Sequence, residues 1–139
     1  MLRIVLNPEI LTAALCSAAG ASHAVLNAAA YRRLSFLVTA PLIEEYRAVL
    51  LSPVQRLAHG RAAEAVERFV KAIATVAEPV ATDRHWRPCQ IDPVDELVLQ
   101  TAAMGRGDAL VTFRPARFSA ARRLSLNVMT PAQLLMSMR

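Results

Sequence analysis

Most of the chemistry this chain can offer lies in three short acidic motifs. Asn7-Pro8-Glu9 follows an apolar run, Glu44-Glu45 lie in a segment opened by Pro41, and Asp92-Pro93-Val94-Asp95-Glu96 opens another. If these segments meet, their oxygens form the hard-donor set that a divalent cation such as Mg2+ or Mn2+ takes. An ion held that way presents water to a phosphodiester and stabilises the charge that develops in the transition state. Each motif alone also has a local explanation. Asn7 before Pro8 is an N-cap and first-position pair, and Glu9 in the first turn suits the helix dipole. Asp92-Pro93-Val94-Asp95 repeats the device, close to a capping box, and Glu44 precedes Arg47 by three residues. Capping explains any one motif most simply, while their joint order along the chain favours a site.

The cations form two groups. Arg84-His85-Trp86-Arg87 places the only tryptophan among three potential cations. That suits either a base stacked on the indole beside phosphate contacts, or a loop tryptophan packed under arginine stems. Arg114, Arg117, Arg122 and Arg123 form a second cluster, readable as phosphate contacts or as a solvated helix face. The formal net charge of +5 at pH 7 points toward an anionic partner, with nucleic acid first. His23 and His59 receive no role.

The elements that must position these residues alternate between strand and helix. Arg3 to Leu6 reads as a strand, followed by a helix from Pro8 to near Gly20 and another from about Ser22 to Arg32. Ser35 to Thr39 is the next strand. Pro41 then starts a helix with Leu42, Ile43, Tyr46, Val49 and Leu50 on one face, and Ser52-Pro53 breaks the chain. From Arg61 to Ala77 the spacing predicts an amphipathic helix with Ala62, Val66, Phe69, Ile73 and Val76 inward. Glu64–Arg68 and Glu67–Lys71 are its expected outward pairs. Asp83 to Ile91 reads as loop or short strand, Pro93 to Met104 as a helix ended by Gly105 and Gly107. Ala109 to Thr112 and Leu126 to Met129 are strands, and Pro131 begins a last helix. This alternation implies an α/β domain with a mostly parallel sheet and helices on both faces. In such folds ligands bind at the carboxyl ends of the strands, where the acidic motifs lie.

The bulk composition is compatible with that reading. A chain of 139 residues, 55% hydrophobic but only 5% aromatic, fits one domain with a core of Ala, Leu and Val. Cys16 and Cys89 have no partners at zinc-ligand spacing and read as thiols in a reducing cytosol. Arg3 with the stretch Ile10 to Ala24 loosely resembles a secretory leader, but Asn7-Pro8-Glu9 interrupts its apolar run. No stretch approaches the roughly 18 uninterrupted apolar residues of a membrane span.

Five segments together resemble the PIN domain family, and within it the toxin-antitoxin branch of short bacterial proteins. Arg3-Ile-Val-Leu-Asn-Pro-Glu-Ile-Leu11 is similar to the family's opening strand and first acidic signature. Ala40-Pro-Leu-Ile-Glu-Glu-Tyr-Arg-Ala-Val-Leu50 is similar to its second motif, with the family's glutamate at Glu45. Asp92-Pro-Val-Asp-Glu-Leu-Val-Leu-Gln-Thr-Ala102 resembles the third, with Asp95 or Glu96 at the metal position. Gly107 to Thr112 resembles the strand before the fourth motif, and Leu126 to Leu135 the usual ending. Two positions depart: Asn7 stands where the first acid belongs, with Glu9 at the family's asparagine, and Arg114 takes the fourth acidic position.

The resemblance implies a single three-layer α/β/α domain over residues 1–139 and a Mg2+- or Mn2+-dependent endoribonuclease of the toxin type. Glu45 and Asp95 would hold the metal, Glu9, Glu96 and Asn7 would assist, and Asp92 would hold the helix start or the outer sphere. Arg84, Trp86, Arg87, Arg114, Arg117, Arg122 and Arg123 would contact RNA. The expected partners are RNA, an antitoxin protein and a second copy, in the cytoplasm. The alternative is a degenerate PIN domain that has lost its metal and binds RNA or a partner protein without cleaving. Asn7 and Arg114 are its evidence, since Arg114 aimed inward would oppose a metal or replace it with a fixed cation.

Overall fold

The computed structural model describes residues 1–139 except Arg84, Cys89, Ile91 and Arg139. Among these described residues five parallel strands form one sheet: β1 Leu2–Leu6, β2 Leu34–Val38, β3 Glu78–Pro79, β4 Ala109–Val111 and β5 Asn127–Met129. Among the described residues, seven α-helices accompany them: α1 Pro8–Cys16, α2 Ala21–Ala30, α3 Ala40–Leu51, α4 Pro53–His59, α5 Ala63–Val76, α6 Pro93–Met104 and α7 Pro131–Ser137. A 3₁₀ segment, Pro115–Leu124, kinked at Phe118 (φ -113°), lies between β4 and β5. Helices flank the sheet, giving the three-layer α/β/α arrangement expected of the sequence.

The strand order is β3-β2-β1-β4-β5. The chain leaves β1 toward β2 on one side and returns through β4 to build the other. Two neighbouring strands, β1 and β4, therefore send their exits in opposite directions, and the gap between those exits is the switch point where such sheets take ligands. The register fixes what stands there. Leu6 pairs with Val111, and the next residue, Asn7, donates its N–H to the Val111 carbonyl at 2.9 Å. Ile4, Val5, Leu6, Leu110 and Val111 are fully buried, so this end of the sheet is anchored in the core.

Two polar contacts hold the neighbouring helices to that end. Tyr46 of α3, itself buried, donates its hydroxyl to the Leu6 carbonyl at 2.7 Å. Burial raises its phenol above the ordinary range against the lowering effect of that bond, so it stays a neutral donor. Thr101 of α6 donates to the Leu97 carbonyl at 2.8 Å, which leaves its oxygen to accept from Thr39, 3.2 Å away. Thr39 in turn accepts from the Leu42 N–H at 3.2 Å and so caps α3.

Several boundaries differ from expectation for local reasons. The first helix ends at Cys16, short of Gly20. Ser52-Pro53 does not break the chain but caps a further helix, α4, whose left-handed end is Gly60 at φ 67°. On α5 the buried positions are Val66, Val70 and Ile73, while Ala62 and Val76 are exposed, so the inward stripe is rotated from the one predicted. Glu67 pairs across to Arg47 of α3 at 2.9 Å and not along its own helix. Arg47 also holds Glu44, as the three-residue spacing predicts. At the end of α6, Arg106 takes the left-handed conformation (φ 51°). Gly105 is there for space: a Cβ on it would sit 2.9 Å from Leu37 and Val80. No single helix among the described residues is long and apolar enough to cross a membrane. The segment that resembles a leader falls in α1 and the first part of α2.

Replacing Tyr46 with Phe removes the hydroxyl that ties α3 to the end of β1. The expected loss is about 1–2 kcal/mol of unfolding free energy, read from urea denaturation with an unchanged m-value.

Candidate nucleic-acid interface at the sheet switch point

The first residue past β1 sets the site. Asn7 is 8% exposed and caps α1 through its Oδ1, which accepts the Glu9 N–H at 3.4 Å. Its Nδ2 faces Asp95 Oδ1, also at 3.4 Å. Both contacts are long, yet together they decide the amide's orientation. Turned over, it would set its oxygen against a carboxylate and its NH2 against an N–H. Asn7 therefore offers the site a donor, with its oxygen committed to the helix.

Asp95 sits in the first turn of α6 and is 5% exposed. Its Oδ2 receives Arg117 at 2.6 Å. The same guanidinium nitrogen lies 3.4 Å from Asp92 Oδ2. Asp92 is the N-cap of α6, its Oδ1 accepting from the N–H groups of Val94 at 2.8 Å and Asp95 at 3.0 Å. The capping prediction for this motif holds, and the cap carboxylate doubles as a second anchor for Arg117. Burial pushes the Asp95 carboxyl above the usual range; Arg117 counteracts this, Asp92 adds to it, and the Asn7 and Arg117 hydrogen bonds pull it back.

The remaining acids face other ways. Glu9 Oε1 accepts from the Thr112 hydroxyl and the Phe113 N–H, both at 2.8 Å, which straps α1 to the end of β4. Thr112 in turn accepts from the Arg114 N–H at 3.1 Å. Glu96 accepts the Trp86 indole N–H at 2.5 Å and the Gln90 N–H at 2.6 Å, holding the preceding loop to α6. Trp86 is thus a partly buried residue packed on the core, against the reading of an open stacking platform. Arg87 is exposed, and Arg84 lies outside the described residues. Glu45 is partly buried on α3, next to Tyr46, with no hydrogen bond or ion pair among the described residues.

The structure therefore brings together Asn7, Asp92, Asp95 and Arg117, with Glu9 at the adjoining edge. Among the described residues, no three His, Cys, Asp or Glu side chains stand close enough to form a metal-holding group. The donor chemistry agrees: both Asp95 oxygens, both Asp92 oxygens and the Asn7 amide are engaged by protein groups. A guanidinium about 4 Å from a divalent ion would oppose it by roughly 8 kcal/mol at an effective dielectric near 20. As arranged, these residues do not fit a divalent ion.

The sequence pointed to Arg114 as the cation that would disturb the acids, and the structure gives that part to Arg117. Arg114 is exposed and its guanidinium has no carboxylate partner among the described residues. Pro115 starts the 3₁₀ segment at once, and its tight turn carries Arg117, three positions after Arg114, back toward α6. Arg122 and Arg123, in the last turn of that segment, are exposed and likewise lack acidic partners among the described residues.

The raised Asp95 carboxyl has a consequence for stability. The folded state binds this proton more tightly than the unfolded chain, so the contribution of Asp95 to stability falls as pH rises from the ordinary carboxylate range through its raised folded value. Asp95→Asn lacks that pH dependence. Its stability relative to the native chain should rise with pH from about 3 and level off toward 7, in urea midpoints across the range. A shift in the opposite direction would mean that Arg117 outweighs burial.

A family profile described as PIN domain matches residues 3–113, from the first strand to just past β4, and stops short of Arg117. No curated protein matches the chain. PIN domains are nuclease-type domains that generally use Mg2+ or Mn2+ and act on RNA. With four-fifths of the sequence matched and the parallel α/β/α architecture in place, the chain belongs to the PIN domain family.

Proposed function

We propose that this PIN domain binds single-stranded RNA through the cations that follow β4, and does not cleave it by a metal-dependent route. The observation that carries the reading is the division among those cations. Arg117 is held by Asp92 and Asp95, while Arg114, Arg122 and Arg123 remain exposed and unpaired among the described residues. Phosphate contacts are what such groups supply beside the end of a parallel sheet. The chain's net charge of +5 adds long-range attraction for a polyanion. Phe113, 46% exposed between β4 and Arg114, gives a base an apolar ring to stack on.

One observation favours a second reading. Glu45, at the family's glutamate position, keeps a carboxylate that nothing among the described residues engages. A metal-dependent endoribonuclease of the toxin type, restrained by an antitoxin, would use it with Asp95 and Glu9, and would require Arg117 to leave Asp95. A cytoplasmic homodimer suits either reading. Val54 and Leu57, 74% and 88% exposed on α4, supply apolar surface for it.

Two measurements on one RNA separate the readings. Fluorescence anisotropy should show binding whose log affinity falls with log salt at about 0.7 per phosphate contact, with Arg122→Ala plus Arg123→Ala lowering that slope by about 1.4. In Mn2+, a fluorogenic single-stranded RNA should stay intact. Cleavage by the native chain that disappears with chelator and in Glu45→Ala plus Asp95→Ala would establish the nuclease instead. Absence of salt-dependent binding would end the RNA reading altogether.

A further inference from the structure

We propose that Arg117 is the resident cation of the switch-point site, a guanidinium that takes the place of a divalent ion and lets the site fold and balance its charge without metal. The inference rests on the non-cleaving reading above and explains how the acids survive without an ion.

Asp95 is almost wholly buried at 5% exposure, and a buried carboxylate needs a counter-charge or a full set of donors. Asn7 supplies only one long amide contact at 3.4 Å. Arg117 supplies the charge, 2.6 Å from Asp95, and reaches Asp92 at 3.4 Å as well. One cation bridging two carboxylates is the coordination pattern of an ion, here delivered on a side chain. A planar guanidinium remains protonated and lies on the protein, so neither pH in the ordinary range nor chelation removes it. The side chain is still 40% exposed, so the bridge can be reached from solvent. The neighbouring acidic groups are engaged elsewhere. Glu9 is bonded to Thr112 and Phe113, and Glu96 to Trp86 and Gln90. Neutralising Arg117 should therefore leave Asp92 and Asp95 as an uncompensated pair, open to an external cation.

The test uses the full chain in its native form, as Arg117→Gln and as Arg117→Lys. Mn2+ binding is read by electron paramagnetic resonance, and thermal unfolding is followed in chelator and in Mn2+. The native chain and Arg117→Lys should show little Mn2+ binding and the same Tm in both conditions. Arg117→Gln should unfold several degrees lower in chelator, recover most of that in Mn2+, and bind Mn2+ roughly tenfold or more tighter than the native chain. Any of these results would overturn the proposal: native binding of Mn2+ as tight as that of Arg117→Gln, an Arg117→Gln Tm equal to native in chelator, or a destabilised Arg117→Gln that Mn2+ does not rescue. Arg117→Lys behaving like Arg117→Gln would also overturn it, because charge would then not be what matters. RNA binding on the same samples reports separately. Its absence in the native chain removes the proposed function and leaves the resident cation untouched.

Discussion

A carboxylate taken out of water has to be answered by charge or by donors, and in this fold that demand falls on Asp95. The residue is buried because α6 begins against the end of β1, where the Asn7 amide closes the other side. What answers it comes from the far side of the sheet gap, on the segment that follows β4. Three separately encoded pieces of chain, after β1, at the start of α6 and after β4, thus meet through one ionised group. Elsewhere the core is held mostly by apolar packing, which tolerates exchange of one aliphatic residue for another. At this point removing one partner of the pair leaves the other as an uncompensated buried charge, which is costly.

The same interaction sorts the basic residues. A run of arginines after a strand looks uniform in sequence, but its members differ according to what the backbone does with them. The 3₁₀ turn points Arg117 back into the fold and leaves Arg114, Arg122 and Arg123 outside. Net charge is then a poor guide to binding surface. The cation nearest the acids is spent internally, and the surface field is set by those that remain.

Much of this architecture was legible in the sequence. The strand and helix alternation, the cap at Asp92, the helix from Pro93 to Met104 and the pairing of Glu44 with Arg47 all follow from local rules, and local rules were sufficient. What escaped has a common cause. Helix α4 has a polar cap followed by Pro, like α1, α6 and α7, and a Gly ending, like α6, but its seven residues leave Val54 and Leu57 exposed and so carry no inward stripe. The 3₁₀ segment has no 3.6-residue pattern to find. Trp86 and Glu96, and likewise Glu9 and Phe113, are bound to each other across distances in sequence that no spacing rule reaches. The departure at Arg114 was visible, and its meaning was displaced by one turn of helix. Only the conformation after Pro115 determines which arginine arrives at Asp95.

The two-residue strand β3 has a consequence of its own. It is the sheet's border on the β2 side, and a border strand with a free row of amide and carbonyl groups invites pairing with any other extended chain. Here the border is Glu78-Pro79: one residue carries a charge bound to Arg3, and the other has no N–H to give. An approaching strand finds little ladder to continue. A chain whose core is so rich in small aliphatic residues needs such a stop, since its unfolded segments are themselves candidates for pairing. The stop discourages growth of the sheet beyond β3.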